Sequence, residues 1–122
     1  MIVRIYWART YPGAWPSIEE KYHELNEIPT PGFRGRLVTQ DVNDPESLYT
    51  ITFWDDMASV EAWETSNEYE NVFVAAIRPF IVGSQSVSLC EVKVENISGL
   101  VSSTKGDTAS QPFAIQREID RS

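Results

Sequence analysis

Histidine and cysteine are almost missing from this chain: His23 and Cys90 are the single copies of each in 122 residues. One cysteine cannot close an internal disulfide, so nothing points to an oxidising compartment. One histidine with no cysteine beside it offers no metal-ligand set. Bases are scarce as well. Ten lysines and arginines against eighteen acids leave a net charge of −8 at pH 7. A field of that sign repels phosphate, so nucleic acid and anionic membrane surfaces are not expected partners. No apolar run approaches the ~20 residues of a membrane span, and Met1-Ile2-Val3-Arg4-Ile5-Tyr6-Trp7 lacks a basic segment with an apolar stretch behind it. The expectation is a soluble, untargeted, cytoplasmic protein. A glycine-rich phosphate loop and a Ser-His-Asp set are also lacking. The acidic pairs Glu19-Glu20 and Asp55-Asp56 sit where helix caps and solvated faces account for them. No cofactor and no metal are expected.

What is present is a globular composition, 42% apolar and 11% aromatic, in a chain long enough to bury a core. Val3, Ile5 and Trp7 alternate with Arg4 and Tyr6, the period of a half-buried strand. Tyr11-Pro12-Gly13 breaks it. Ser17 with Glu20 reads as a capping box, Trp15 as a staple at the helix start, and Ile18, Tyr22 and Leu25 as the apolar stripe of a helix ending near Ile28-Pro29. The most legible stretch follows. After Pro31-Gly32, residues 33–42 read as a strand, Asn43 to Ser47 as a polar turn, and 48–54 as the returning strand, rich in the β-formers Tyr49, Ile51 and Phe53. Asp55-Asp56 opens a helix over 57–65 with Met57, Val60 and Trp63 on one face. Ser66-Asn67-Glu68 interrupts it before Tyr69, Val72, Phe73 and Ile77 resume, and Pro79 ends it. Residues 81–94 predict a last strand whose apolar phase slips, which suggests a bulge or change of partner near a buried, inert Cys90.

The order is βαββαβ, an α+β, ferredoxin-like arrangement over residues 1–95. Residues 1–95 hold fifteen acids and seven bases, whereas 96–122 hold three of each. The latter read as a neutral Ser/Thr/Gly-rich C-terminal tail, anchored through Phe113 and Ile115 if ordered. Alternation divides the sheet into two faces. Val3, Ile5, Trp7, Tyr49, Ile51 and Phe53 form an apolar face expected to carry the helices. Arg4, Tyr6, Arg34, Arg36, Val38, Gln40, Thr50, Thr52 and Trp54 form a semi-polar face expected to pack on the sheet of a second protomer in a homodimer.

The run Pro31-Gly32-Phe33 to Gln40, then Ile51-Thr52-Phe53-Trp54 and Ala62-Trp63-Glu64-Thr65-Ser66, resembles the antibiotic biosynthesis monooxygenase domain and its dimeric α+β barrel superfamily. The resemblance covers about residues 1–95. It implies two protomers packed sheet to sheet, with a pocket between each sheet and its helices. Relatives that degrade haem use an asparagine on the first strand, a tryptophan on the second helix and a histidine ten residues later as iron ligand. Only Trp63 matches here, because Trp7 and Phe73 stand at the other two positions. Relatives that oxidise aromatic polyketides without metal or flavin are matched at Trp54, whereas Thr50 and Val60 replace their asparagine and tyrosine, and Arg78 is nearest to their arginine.

The reading that results is a cofactor-independent monooxygenase acting on a small aromatic or polycyclic substrate. Trp54 and Trp63 are its candidate catalytic residues, and Trp7, Tyr22, His23, Trp63 and Phe73 its candidate substrate pocket. Tyr22, His23 and Arg9 are the titratable groups nearest that pocket by element order. The alternative from another class is a non-enzymatic dimeric module that binds a small apolar ligand. A haem-binding relative is disfavoured by Trp7 and Phe73.

Overall fold

The computed structural model describes residues 1–98. The unit Met1–Val92 is compact and holds the sheet and its helices. The tail reading, with Phe113 and Ile115, lies outside the described residues from 99 onward.

Strand β1 (Ile2–Thr10) leads to helix α1 (Trp15–Leu25), the hairpin β2 (Phe33–Gln40) and β3 (Ser47–Trp54), and helix α2 (Met57–Glu64). A π-helical segment (Tyr69–Val74) then runs into one α-helical turn, α3 (Ala75–Ile77), a 3-10 turn (Arg78–Phe80) and β4 (Ile81–Glu91). The strands lie in the order β2-β3-β1-β4, each neighbour antiparallel. This is the expected ferredoxin-like α+β fold.

Local chemistry explains the helix ends. Asp56 caps α2, its carboxylate accepting from the Ser59 amide at 2.9 Å and the Ser59 hydroxyl at 2.8 Å. Gly32 lies against the same serine with φ +79°, where an added Cβ would stand 2.1 Å from Ser59 Oγ, so only glycine fits. The capping box at Ser17 and Glu20 does not form. Helix α1 starts three residues earlier, with Ala14 at its N-cap position, Pro16 in its first turn and no side-chain cap, because proline's fixed φ suits a helix start. Trp15 ties that start to the β2–β3 turn by donating to the Pro45 carbonyl at 2.9 Å.

The break after α2 depends on Ser66. Its hydroxyl donates to the Trp63 carbonyl at 2.6 Å and accepts from the Tyr69 amide at 3.2 Å, closing one helix and opening the next. The wider π winding then keeps Tyr69, Phe73 and Ile77, spaced by four, on the inner side, while Val72 turns outward. In β4 the register shift falls opposite Ala8 and Arg9, where Gly83 takes φ +71°. It does not fall near Cys90. From Gln85 to Glu91 the pairing with β1 is unbroken, and Cys90 is exposed rather than buried.

The assignment of the sheet faces is reversed. The helices cover the semi-polar side: Arg4, Thr10, Thr50, Thr52 and Trp54 are buried, and they meet Tyr22 of α1 and Glu64 of α2 through hydrogen bonds. The core joins Trp54 to Ile18, Tyr22, Leu25, Val60, Trp63, Phe73 and Ile77. Val3, Ile5, Trp7, Tyr49, Ile51 and Phe53 point the other way and are only half-buried. Leu37, paired with Ile51 in the register, joins them and is 42% exposed. Alternation identifies which residues share a face, but two faces that are both partly apolar leave open which one the helices take. Among the described residues no helix is long and apolar enough to cross a membrane.

Candidate functional site

Between the covered face of the sheet and the helices lies a cavity of about 100 Å³. The sheet contributes Arg4 and Tyr6 from β1, Arg36 from β2, Thr50 and Thr52 from β3, and Ile81 and Gln85 from β4. Tyr22 of α1, Trp63 of α2, Tyr69, Phe73 and Val74 of the π segment, and Ile77 and Arg78 beyond it complete the wall. Each reaches inward for a local reason: alternate residues of a strand share one side, and the π winding aligns Tyr69 with Phe73.

Arg4 is fully engaged. Its Nε donates to Glu64 Oε2 at 2.7 Å, one Nη donates to the Tyr69 hydroxyl at 3.0 Å, and the guanidinium lies 5.2 Å from the Trp63 ring centroid. A buried arginine held by a carboxylate, a phenol and an aromatic ring is compensated on every side. The Tyr22 hydroxyl shares a buried hydrogen bond of 3.0 Å with Thr50 Oγ1, and the Tyr6 hydroxyl donates to Gln85 Oε1. Burial pushes both phenols above the ordinary tyrosine value, and at Tyr6 the neighbouring Tyr22 adds to the effect. Both therefore stay neutral. Arg36 lies between the rings of Phe33 and Phe73, 4.7 and 4.8 Å from their centroids, and donates to Asn26 Oδ1 at 2.9 Å. Burial pushes its guanidinium down.

Trp63 walls this cavity and a second one. The second, of about 220 Å³, lies between the approach to β2 (Pro29, Thr30 and Pro31) and α2 (Ser59, Ala62 and Trp63), closed by Ser66 and Glu68. The Trp63 ring packs on Trp54, Tyr69 and Phe73 with centroids 5.2, 4.5 and 5.3 Å away. Its Nε1 is buried with no acceptor among the described residues, which is costly in a dry interior unless a guest accepts from it.

Tyr22, Trp63 and Phe73 are thus brought together around one cavity. Trp7 is not among its walls. It projects from the open face, where its indole donates to Ser47 Oγ. His23 is exposed on the outer side of α1, because it follows Tyr22 directly and a helix turns adjacent residues about 100° apart. Arg9 pairs with Asp44 at 2.7 Å and Glu46 at 3.7 Å, outside the cavity. Trp54 is fully buried behind the walls, its indole donating to Thr52 Oγ1 at 2.8 Å, so it touches no open space. Arg4, Tyr6, Arg36, Thr50 and Thr52 are the wall residues that sequence reasoning gave to the other side. Their signal was present: a row of polar residues alternating with apolar ones on two adjacent strands.

The described residues contain no group of three or more His, Cys, Asp or Glu able to hold a metal ion. The cavity wall contains none of those residue types. At the haem-relative's histidine position, Phe73 presents a phenyl ring to the cavity. The histidine ligand that those relatives use is therefore missing from this wall.

The family profile described as antibiotic biosynthesis monooxygenase matches residues 1–75. Among curated proteins no match is found. Several solved structures share the fold. A protein provisionally named an antibiotic biosynthesis monooxygenase from Bordetella bronchiseptica superposes with a TM-score of 0.68 at 11% identity, over 76% of this chain and 97% of that one. One of the same provisional name from Chloroflexus aurantiacus J-10-fl gives 0.60 at 22% identity, over 80% and 98%. A conserved protein from Methanosarcina mazei Go1 gives 0.60 at 15% identity, over 76% and 94%. Identities this low speak for the fold alone.

Proposed function

Because the chain belongs to the antibiotic biosynthesis monooxygenase family, we propose that it is a cofactor-independent oxygenase whose small aromatic substrate binds between Trp63 and Phe73. The observation that carries this reading is the aromatic cavity with an unsatisfied donor in its wall: Trp63 supplies a flat surface and a buried N–H without an acceptor. In such a reaction an electron-rich ring carbon gives its electrons to oxygen. A phenol becomes a quinone as one oxygen atom enters the product and the other leaves as water. The protein's share is to hold the ring, keep water away and stabilise the electron-rich form. Oxygen uptake with an electron-rich single-ring phenol tests it. The expected result is a rate above the spontaneous one that falls at least tenfold in Trp63→Ala. A rate no higher than that of buffer across a set of electron-rich single-ring phenols would reject it.

A second reading has an observation of its own. No aspartate, glutamate or histidine lines the cavity, so no wall group serves as a base near neutral pH. That favours a binding module that performs no chemistry, or an enzyme whose substrate loses its proton readily. Ligand binding without oxygen uptake separates the first from the second.

The same proposal includes a homodimer, with the interface moved to the open face. Val3, Ile5, Trp7, Leu37, Tyr49, Ile51 and Phe53 make an apolar sheet surface that the helices leave uncovered. Packing two such sheets face to face removes it from water. Light scattering should give about twice 13.9 kDa. A location in the cytoplasm, and a division of labour between residues 1–95 and the tail, belong to the same proposal.

A further inference from the structure

Three arginines line the cavity, and they are not equivalent. Arg4 is neutralised by Glu64 at 2.7 Å and Arg78 by Glu70 at 3.6 Å. Among the described residues Arg36 has no carboxylate within ion-pair distance; its recorded polar partner is the neutral amide oxygen of Asn26. It is nevertheless partly buried between two phenyl rings. Removing a cation from water without a counter-charge is unfavourable, and a chain rich in carboxylates had many available. The surrounding hydroxyls do not supply the missing charge, since burial keeps the Tyr22 and Tyr6 phenols protonated. The Tyr69 hydroxyl, which accepts from Arg4, retains its own proton to donate.

We infer that Arg36 is the specificity determinant of this cavity, and that the cavity takes a planar aromatic oxyanion, of which a benzoate-like carboxylate is the simplest form. The guanidinium fork offers two parallel donors to such a group. Asn26 and the stacked rings of Phe33 and Phe73 hold the fork in place. A single ring suits a space of about 100 Å³. The inference rests on the cavity being a ligand site, as proposed above, but not on any reaction there. It also answers the lack of a base: a ligand that is already ionised, or is ionised by Arg36, needs none.

The test is a titration of the full chain, followed by amide chemical shifts, with benzoate and its neutral isostere benzamide. The proteins are wild type, Arg36→Gln and Arg36→Lys. At −8 the protein as a whole repels anions, so a preference for benzoate reports a local site. The expected result is benzoate bound about tenfold or more tightly than benzamide, with shifts centred on Tyr22 and Phe73. Arg36→Gln should erase that preference by lowering benzoate affinity far more than benzamide affinity, and Arg36→Lys should restore part of it. Equal affinities in wild type, or a preference that survives Arg36→Gln, overturn the inference and leave an apolar cavity. Failure of both probes to bind at millimolar concentration overturns it together with the cavity reading. Binding as expected, with no oxygen uptake from any ionisable aromatic, supports it and rejects only the oxygenase.

Discussion

The two faces of the sheet have opposite characters, and each is the reverse of what a monomeric fold alone would need. The face under the helices carries Arg4, Tyr6, Thr50 and Thr52, polar groups that cost free energy to bury unless paired. The face away from the helices carries Val3, Ile5, Trp7, Ile51 and Phe53, which a lone protomer would leave wet. A fold under selection for monomer stability would have exchanged them. The inversion makes sense if the covered face is a binding site that needs donors and a cation, and the open face is a surface that a second protomer covers. Structural stability and site chemistry then make different demands on adjacent residues of the same strands.

The largest effect should come from charging the open face. Ile51 pairs with Ile5 on one side and Leu37 on the other, at the centre of the apolar surface. In a dimer, Ile51→Asp would bury a carboxylate without a partner, at a cost of about 3–5 kcal/mol. The mass by light scattering should drop to that of a single 13.9 kDa chain, with the helices retained by circular dichroism. An unaltered dimer would show that the interface lies elsewhere.

Next come the two tryptophans behind the covered face. Trp54 has no exposed surface, and its indole is hydrogen-bonded to Thr52, so Trp54→Ala should cost about 3–5 kcal/mol in chemical denaturation. Trp63 has open space on two sides and an unpaired N–H. Trp63→Ala should cost less, about 1–2 kcal/mol, because fewer packing contacts vanish and an unsatisfied donor goes with them. Equal losses would return Trp63 to the core and weaken the case for the cavity.

A smaller effect tests whether the polar face is paid for within itself. Arg4→Met strands Glu64 and removes the donor to the Tyr69 hydroxyl. The Glu64 side chain keeps 29% of its exposure, so water compensates in part and the loss should be about 1–2 kcal/mol. Adding Glu64→Gln should recover some of it. If the double variant is no better than the single one, the pair is not coupled.

These contrasts mark what could be read from the chain. The hairpin, both amphipathic helices and the break after Trp63 are written in short-range patterns: β-formers around a polar turn, apolar residues every three or four, and a capping aspartate. Tyr22, Trp63 and Phe73 follow from them, because a helix that packs on a sheet points its stripe inward. The side taken by those helices was not legible, since Val3-Arg4-Ile5-Tyr6-Trp7 alternates equally well whichever side is covered. Arg36 and Arg4 become wall residues, and Trp7 an outer one, only once that side is known. The π winding was hidden too, because over six residues its spacing differs little from that of an α-helix. His23 drew attention through its chemistry, but its neighbour Tyr22 already held the inward position.

The smallest effect lies at alkaline pH and reads the dryness of the covered face directly. Burial raises the Tyr6 and Tyr22 phenols above the ordinary value of 10.0. The native chain therefore keeps two protons that the unfolded chain releases at that value. The stability this contributes is fully present below about pH 10 and is lost as pH rises beyond it. In a spectrophotometric titration, two of the five tyrosines should ionise last and only as the protein unfolds. Tyr22→Phe should flatten the alkaline decline while costing about 0.5–1.5 kcal/mol at neutral pH, since it gives up the 3.0 Å hydrogen bond to Thr50. A single step in which all five tyrosines ionise together near pH 10, with the fold intact, would mean that water reaches the covered face freely. The contrast between the faces would then lose its physical basis.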